Sequence, residues 1–314
     1  MADRLRVLVS CPKAWDGLSE FADLFDAHQI DVDIPELVHQ QLDEEDLLPI
    51  ISRYDGVLAG DDDLNGRVIA AGSRLKVISK WGVGVDAIDL TAAAEHGVQV
   101  VNTPAMFGEE LADYALGFII LIARQQHVVD REVRAGHWPS VRGHSLAGRS
   151  LAIVGMGSSG SALARRAIAM NMKVVGADPF AVSESPGVAI MDIGEAVASA
   201  DIVSLHLPAQ PDGVPVIDSD AIARAKPGFW LINTSRGSLV DEVALNSGLE
   251  SGHVGAAALD VFQREPLAGD HPLLNHPHVV LGAHNGSNTH EAVERTTRAA
   301  IENLLRLLVA TQSR

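Results

Sequence analysis

The sequence predicts an α/β chain of two doubly wound parallel-sheet domains. Three observations carry this: short apolar strands alternate with helical stretches over residues 6–101, a second alternation runs over residues 151–281, and a long helical region separates them. Alternation of this kind places helices on both faces of a parallel sheet. Neither series shows low complexity or a short repeat.

The first series opens with a strand at 6–10, a helix at 17–28, a strand at 31–34 and a helix at 36–46. Strands at 56–59, 76–79 and 98–101 complete it. Residues 109–126 begin with Glu109 and Glu110, which suit a helix N-terminus, and then become apolar on nearly every side, as a buried helix does. A polar arm with Arg131, Arg134, Trp138 and Arg142 leads into the second series, whose later strands fall at 202–205, 229–233, 255–259 and 279–281. Over 291–310, Ile301, Leu304, Leu305 and Leu308 have the spacing of an amphipathic helix. The first series lacks a final helix and the chain ends in one, so this helix is expected to return to the first domain. The domains then divide as 1–102 with 286–314, and 103–285 inserted between, with hinges near 101–108 and 284–289 and a cleft between the domains.

The second series starts with an apolar strand, the turn Gly155-Met-Gly157-Ser-Ser-Gly160, a helical run over 161–170 and a second strand ending in Asp178. This is the pattern of a dinucleotide site. Gly155 permits the tight turn, Gly157 lets backbone amides approach a pyrophosphate, Gly160 brings helix and strand close, and the helix N-terminus offers its positive dipole end. Asp178, 23 residues after Gly155, is placed for a ribose diol, and a 2'-phosphate there would meet a carboxylate. A plain strand–turn–helix explains the glycines but not the acid. The expected cofactor is therefore NAD.

Composition narrows the partners. With 41 acids against 24 bases and a formal charge of −17, nucleic acid and anionic membranes are not expected as partners. No uncharged apolar run reaches about 18 residues, and the N-terminus leads straight into a strand rather than a signal sequence, so a cytoplasmic location is expected. The single cysteine, Cys11, excludes an internal disulfide framework and a multi-cysteine metal site, and reads as a small residue ending the first strand; no metal is expected. A dinucleotide and a small acid are themselves anions, so their binding has to rely on helix N-termini and a few placed cations.

Three polar residues stand just beyond strands of the second series, where an open parallel sheet presents its working edge: Arg236, Glu265 and His284. Singly they read as a surface salt bridge, a turn acid and a helix-entry histidine. Together they describe chemistry. An arginine grips a carboxylate and an adjacent oxygen in a two-point fork that lysine does not reproduce. A histidine partnered by a carboxylate is suited to general acid–base work near neutral pH. With a nicotinamide to exchange hydride, the set describes interconversion of a 2-hydroxy acid and its 2-keto acid.

Along nearly its whole length the chain resembles the D-isomer-specific 2-hydroxyacid dehydrogenases, the family of D-3-phosphoglycerate, glyoxylate and D-lactate dehydrogenases. The resemblance rests on Gly82-Val-Gly-Val-Asp-Ala-Ile-Asp89, Val101-Asn-Thr-Pro104, the glycine turn, His206-Leu-Pro208, Asn233-Thr-Ser-Arg-Gly237, Ala258-Leu-Asp-Val-Phe262, Glu265-Pro266 and Ala283-His-Asn-Gly286. It implies a Rossmann cofactor domain inserted into a flavodoxin-like substrate domain. It also implies that Arg236 binds substrate, His284 is the acid/base and Glu265 orients it. Substrate-carboxylate binding by the amides of Val83 and Gly84 is implied as well. Cofactor contacts are implied for Ser158 and Ser159 at the pyrophosphate, Leu207 and Pro208 on the adenosine side, and Thr234 and Asp260 near the nicotinamide, although Asp260 reads equally as a strand-end cap. A homodimer through the cofactor domains is implied, with 109–126 and the arm over 128–142 as its surface.

The departures bear on substrate. Phosphoglycerate enzymes of this family tend to carry an arginine and a serine where this chain has Gly60-Asp-Asp-Asp63, and three acids there are expected to repel a phosphate. Trp81 is expected in the core and Lys80 on the surface, with a cation and aromatic wall for substrate as the other reading. The sequence resembles the short form, without a regulatory domain. A D-3-phosphoglycerate dehydrogenase proper and a non-catalytic NAD-sensing regulator are the alternatives. Formate enzymes of the family carry glutamine where this chain has Glu265, which argues against that chemistry. Asp178 predicts a lower KM for NAD than for NADP in steady-state kinetics, and comparable values would overturn the ribose-diol assignment.

Overall fold

The computed structural model describes residues 4–37, 41–180, 187–210 and 213–312. These form two compact units, one of residues 1–106 with 288–314 and one of residues 107–287.

The first unit holds β1 (Leu5–Val9), a 3-10 helix (Pro12–Phe21) running into α1 (Ala22–Ala27), β2 (Ile30–Asp33), α2 (Glu44–Leu47), β3 (Gly56–Ala59) and α3 (Gly66–Ala71). It continues with β4 (Val77–Lys80), α4 (Leu90–Glu95) and β5 (Gln99–Val101). The strands pair in parallel in the order β2-β1-β3-β4-β5, the flavodoxin-like order. Leu8, Val57 and Ile78 bury one face of the sheet with Leu47, Val68, Ile69 and Ala92 of the helices. The chain's last helix, α11 (His290–Gln312), packs on β3 and β4. Gly56 makes that approach possible, because a Cβ there would stand 3.1 Å from both Leu304 and Leu308. Ser79 Oγ donates to the Ala300 carbonyl at 2.8 Å, and the Trp81 indole donates to Thr297 Oγ1 at 2.9 Å.

Two expectations in this unit are corrected. The helix expected over 36–46 is only the four residues of α2; residues 38–40 lie outside the described residues. Asp43 starts it, accepting the Asp46 amide while the Asp46 carboxylate accepts the Asp43 amide, a reciprocal box that places the N-terminus beyond residue 43. The helix expected from residue 17 instead begins at Pro12, whose missing amide hydrogen costs nothing in a first turn.

The second unit holds α5 (Gly108–Arg124), α6 (Gln126–Arg134), β6 (Ser150–Val154), α7 (Ser158–Ala169), β7 (Lys173–Ala177), β8 (Ala189–Ile190) and α8 (Ile193–Ser199). There follow β9 (Ile202–Leu205), α9 (Ser219–Arg224), β10 (Phe229–Asn233), α10 (Glu242–Ser251), β11 (Val254–Leu259) and β12 (Val279–Leu281). All seven strands are parallel, in the order β12-β11-β10-β9-β6-β7-β8, which is the Rossmann order with one strand added. Alternate residues of β6 face opposite layers: Ala152 and Val154 meet Leu205, Leu231 and Leu245, while Leu151 and Ile153 meet Phe118, Ile119 and Leu163. Both faces are thus covered, and the strand reads as one apolar run.

α5 stops where Gln125 turns left-handed, at φ 48°. Its Ala112, Ala115, Phe118, Ile119, Ile122 and Ala123 are buried, while Leu116, Ile120 and Leu121 are only partly covered. Between α6 and β6 the chain has no helix or strand, and Trp138 there is 90% exposed.

Candidate active site

In a doubly wound sheet, ligands bind beyond the C-terminal strand ends where strand order reverses. Here β6 lies between β7 and β9, so the turn after β6 stands at that point. Its three glycines have different reasons. Gly155 adopts φ +100°, and a Cβ on it would stand 2.5 Å from the His206 carbonyl oxygen, because the ends of β6 and β9 converge. A Cβ on Gly160 would overlap the Gly155 carbonyl oxygen, so this glycine lets α7 begin against the turn. Gly157, the residue before α7, has an ordinary φ of −67° and open space where a Cβ would stand. No side chain or backbone atom among the described residues stands where its Cβ would be, so the α7 N-terminus is open there.

Asp178 follows β7 and stands beside this turn, its carboxylate accepting the Met156 amide at 2.8 Å and the Phe180 amide at 2.8 Å. Ser158 is exposed at the first turn of α7, whereas Ser159 Oγ lies 3.1 Å from His206 Nδ1. The other nitrogen of His206 lies 2.9 Å from Ser204 Oγ. Although the residue as a whole is only partly buried, both ring nitrogens are engaged, and loss of water pushes its pKa down to about 4. His206 therefore acts as a neutral bridge between β9 and α7, a role that its place in the His206-Leu-Pro208 motif did not announce. Leu207 is partly buried against the core and Pro208 is exposed.

Arg236, Glu265 and His284 come from the other half of the sheet, beyond β10, β11 and β12. Asn233, Leu259 and Leu281 are register partners at the ends of β10, β11 and β12. Arg236 and His284 each lie three residues beyond these matched ends, so they leave the same sheet edge. Glu265 reaches it from the loop after β11. His284 Nδ1 lies 2.8 Å from Glu265 Oε2, and Glu265 Oε1 accepts the Phe262 amide at 2.9 Å, so both carboxylate oxygens are engaged. The two side chains remain about one-third accessible, at 30% and 32%. Arg236 is partly buried; its Nη1 donates to the Ser235 carbonyl at 2.8 Å, and its own carbonyl accepts from Asn233 Nδ2 at 2.8 Å.

Asp260 lies at this edge as a cap: it is 1% exposed, and its carboxylate accepts the Asn285 and Gly286 amides at 3.0 and 2.7 Å. Thr234, 5% exposed, has a buried Oγ1 with no hydrogen-bond partner among the described residues. A buried hydroxyl without a partner is costly, and a polar ligand group at the edge would satisfy it. The open space at Gly157 and the orphan hydroxyl of Thr234 both fit a dinucleotide laid along the C-terminal edge.

In the first unit, Val83 and Gly84 follow β4 in a loop fixed by Gly82, whose amide donates to Thr103 Oγ1 at 2.9 Å, and by Asn102, which donates to the Val83 carbonyl at 2.6 Å. The Val83 and Gly84 amides make no hydrogen bond among the described residues. Lys80 is not a surface residue: it is 4% exposed, its Nζ donating to the Trp81 carbonyl at 2.8 Å and lying 3.1 Å from Asp61. Nor is Gly60 to Asp63 an open acidic loop. Asp62 is buried, accepting from Ser10 Oγ at 2.5 Å and from the Leu42 and Gly60 amides, and burial pushes its pKa up. Asp61 is charge-paired with Lys80, and Asp63 accepts from Asn65. Trp81 does belong to the core, and Cys11 is a buried thiol whose pKa burial pushes up to about 12, too high for a nucleophile.

Fold and site together define a dinucleotide-binding α/β protein, and the chain belongs to the D-isomer specific 2-hydroxyacid dehydrogenase family. The family model for its NAD binding domain matches residues 116–286. Among relatives, a D-3-phosphoglycerate dehydrogenase of Mycobacterium leprae is 36% identical over 268 residues, covering 83% of this chain and 51% of that protein. A glyoxylate reductase of Korarchaeum cryptofilum is 35% identical over 253 residues, covering 78% of this chain and 76% of that protein. The crystal structure of the TT0316 protein from Thermus thermophilus matches with a TM-score of 0.85 at 33% identity, covering 98% of this chain and 97% of that one. The chain spans about half the length of the phosphoglycerate dehydrogenases it matches. Among the described residues, no helix is long and apolar enough to cross a membrane.

The depressed pKa of His206 sets a pH dependence. In the unfolded chain its imidazole takes a proton near the ordinary 6.5, and in the folded protein only near 4, so stability present above 6.5 falls as pH drops through that window. His206→Gln, which keeps a donor and an acceptor, is expected to lessen the loss of urea stability between pH 7 and pH 5. Equal losses in parent and variant would show that His206 does not titrate in this way.

Proposed function

We propose that the protein is an NAD-dependent oxidoreductase interconverting a small D-2-hydroxy acid and its 2-keto acid. The observation that carries this reading is the Glu265–His284 pair, 2.8 Å apart on the same sheet edge from which Arg236 leaves. Family membership supports it. In the reducing direction, the Arg236 guanidinium holds the keto acid. Protonated His284 donates from Nε2 to the oxygen on C2 as it becomes an alkoxide, while Glu265 stabilises the imidazolium through Nδ1. Bound NADH supplies the hydride to C2; Gly155, Gly157, Ser158, Ser159, Gly160, Asp178, Leu207, Pro208, Thr234 and Asp260 line its proposed place. In the oxidising direction His284 accepts the hydroxyl proton at the same nitrogen.

A second reading is D-3-phosphoglycerate dehydrogenase proper. It is favoured by Asp61 and Asp62, which are respectively charge-paired and buried and so do not confront a phosphate as open charges. NADH oxidation against glyoxylate, hydroxypyruvate, pyruvate, bulkier 2-keto acids and 3-phosphohydroxypyruvate separates the readings. The parent is expected to turn over at least one of them, and His284→Ala to abolish that turnover with NADH affinity kept within about severalfold. Retained activity in the variant would remove His284 from the chemistry.

The reading extends to a cytoplasmic homodimer formed through the second unit. The partly covered Leu116, Ile120 and Leu121 of α5 and the exposed Trp138 support it, because apolar surface of this kind gains by burial against another copy. Light scattering at micromolar concentration is expected to give a dimer mass; a monomer would count against it.

A further inference from the structure

The segment that carries His284 is tied to a helix distant in sequence through one buried carboxylate. His284 itself is left-handed, at φ +54°, a conformation that costs energy in a residue with a side chain. Its amide donates to the Asp260 carbonyl at 2.7 Å, and the next two amides donate to the Asp260 carboxylate. From α5 the Tyr114 hydroxyl faces the same carboxylate, both standing against Gly282, where a Cβ would overlap Asp260 Oδ1. The fit is close. A Cβ on Gly282 would stand 2.9 Å from the Tyr114 hydroxyl, and one on Gly286 would stand 2.9 Å from Leu111 Cδ2 and 3.5 Å from Tyr114 Cδ1. Leu111 and Tyr114 are three residues apart and share a face of α5, so together they form the floor under residues 282–286. Phe118, one turn on, holds the Tyr114 ring edge-on at 4.7 Å between centroids. Burial, and secondarily the Asp260 charge, raise the phenol above its ordinary value, which keeps the hydroxyl a donor at neutral pH.

We propose that Tyr114 is a positioning residue for the acid–base chemistry. Acting through Asp260, its hydroxyl holds the backbone of residues 284–286 in the conformation that sets the imidazole against Glu265. The physical reason is the cost of a buried carboxylate with too few donors. With the hydroxyl removed, Asp260 recruits water or rotates, and the Asn285 and Gly286 amides lose a fixed acceptor. The strained backbone at His284 is then no longer over-determined, and the imidazole spends less time aligned for proton transfer. A purely packing role for the ring predicts the opposite, since phenylalanine supplies the same contacts to Phe118 and Gly286.

The proposal rests on His284 being the acid–base group, and its test separates the two. In the full chain, Tyr114→Phe removes one oxygen and keeps the ring. Hydrogen exchange of the Asn285 and Gly286 amides, followed by NMR, reads the positioning without turnover. Kinetics with the keto acid that the parent reduces best, and NADH binding by fluorescence, read its consequence. We expect exchange at both amides to quicken by about tenfold, against little change in the α5 amides. We expect kcat to fall by about fivefold or more, with KM and NADH affinity within about twofold, the signature of lost transition-state alignment. Unchanged exchange overturns the proposal, and so does quickened exchange with kcat unaltered or with a loss lying wholly in KM. If the parent reduces no acid in the panel, the proposed function fails on its own, and the proposal, having lost the chemistry it serves, falls with it even where exchange confirms the Tyr114–Asp260 link.

Discussion

Parallel pairing of β10, β11 and β12 with matched ends is the constraint on which the candidate site depends. Asn233, Leu259 and Leu281 are in register, so the residues just beyond them emerge along one edge. Parallel strands require long crossover connections, which is why groups that share this edge come from well-separated parts of the chain. The ladder also runs on past the strands: the Asp260 amide donates to the Asn233 carbonyl at 2.9 Å and the Gly282 amide to the Leu259 carbonyl at 2.7 Å. These bonds carry the regularity of the sheet into the segments that hold His284 and Arg236. The Glu265–His284 pair is thereby placed by backbone hydrogen bonds as well as by its own contact.

The protein's large negative charge does not decide how its buried acids behave. Each has local donors. Asp55, 2% exposed, takes the Arg6 amide and the cations of Arg74 and Lys76; Asp62 takes Ser10 and two amides; Asp260 takes the Asn285 and Gly286 amides. Desolvation makes such partners necessary, because a buried charge without them is several kcal/mol uphill at order of magnitude. Thr234, one of several residues with a buried polar atom that has no partner among the described residues, and Gly157, whose Cβ position is open, both follow strand ends of the second sheet. Such exceptions are expected where a ligand completes the structure.

Much of this was legible in the sequence because a strand buried on both faces is apolar at every position and is bounded by turn residues. The strands at 56–59, 202–205, 229–233 and 279–281 have the bounds read from the sequence, and 151–154 is extended by one residue. The glycine turn was legible for a different reason: its spacing between a strand and a helix is a pattern in the sequence itself, with Gly155 and Gly160 answering to close backbone approaches and Gly157 leaving the α7 N-terminus open. Helices were less so. Residues 36–46 contain good helix formers, yet a reciprocal cap at Asp43 and Asp46 sets the start, and the two-residue β8 is too short to leave a pattern. Arg236, Glu265 and His284 were singled out by residue type and by their places after strands, where a parallel sheet displays its functional groups, and Glu265 and His284 lie 2.8 Å apart.

What the sequence by itself determined was the alternation of strands and helices, the dinucleotide turn and the identity of the polar groups after the strands, all of which are written in short-range periodicity and residue chemistry. Tertiary structure alone decided which polar groups met. It buried Lys80 against Asp61, turned Asp62 inward, made His206 a neutral bridge, and brought Tyr114 to Asp260 beneath the His284 segment. These pairings join residues as much as 146 positions apart. No local pattern encodes them, because the free energy of a buried polar group depends on the partner that folding delivers rather than on its neighbours in the chain.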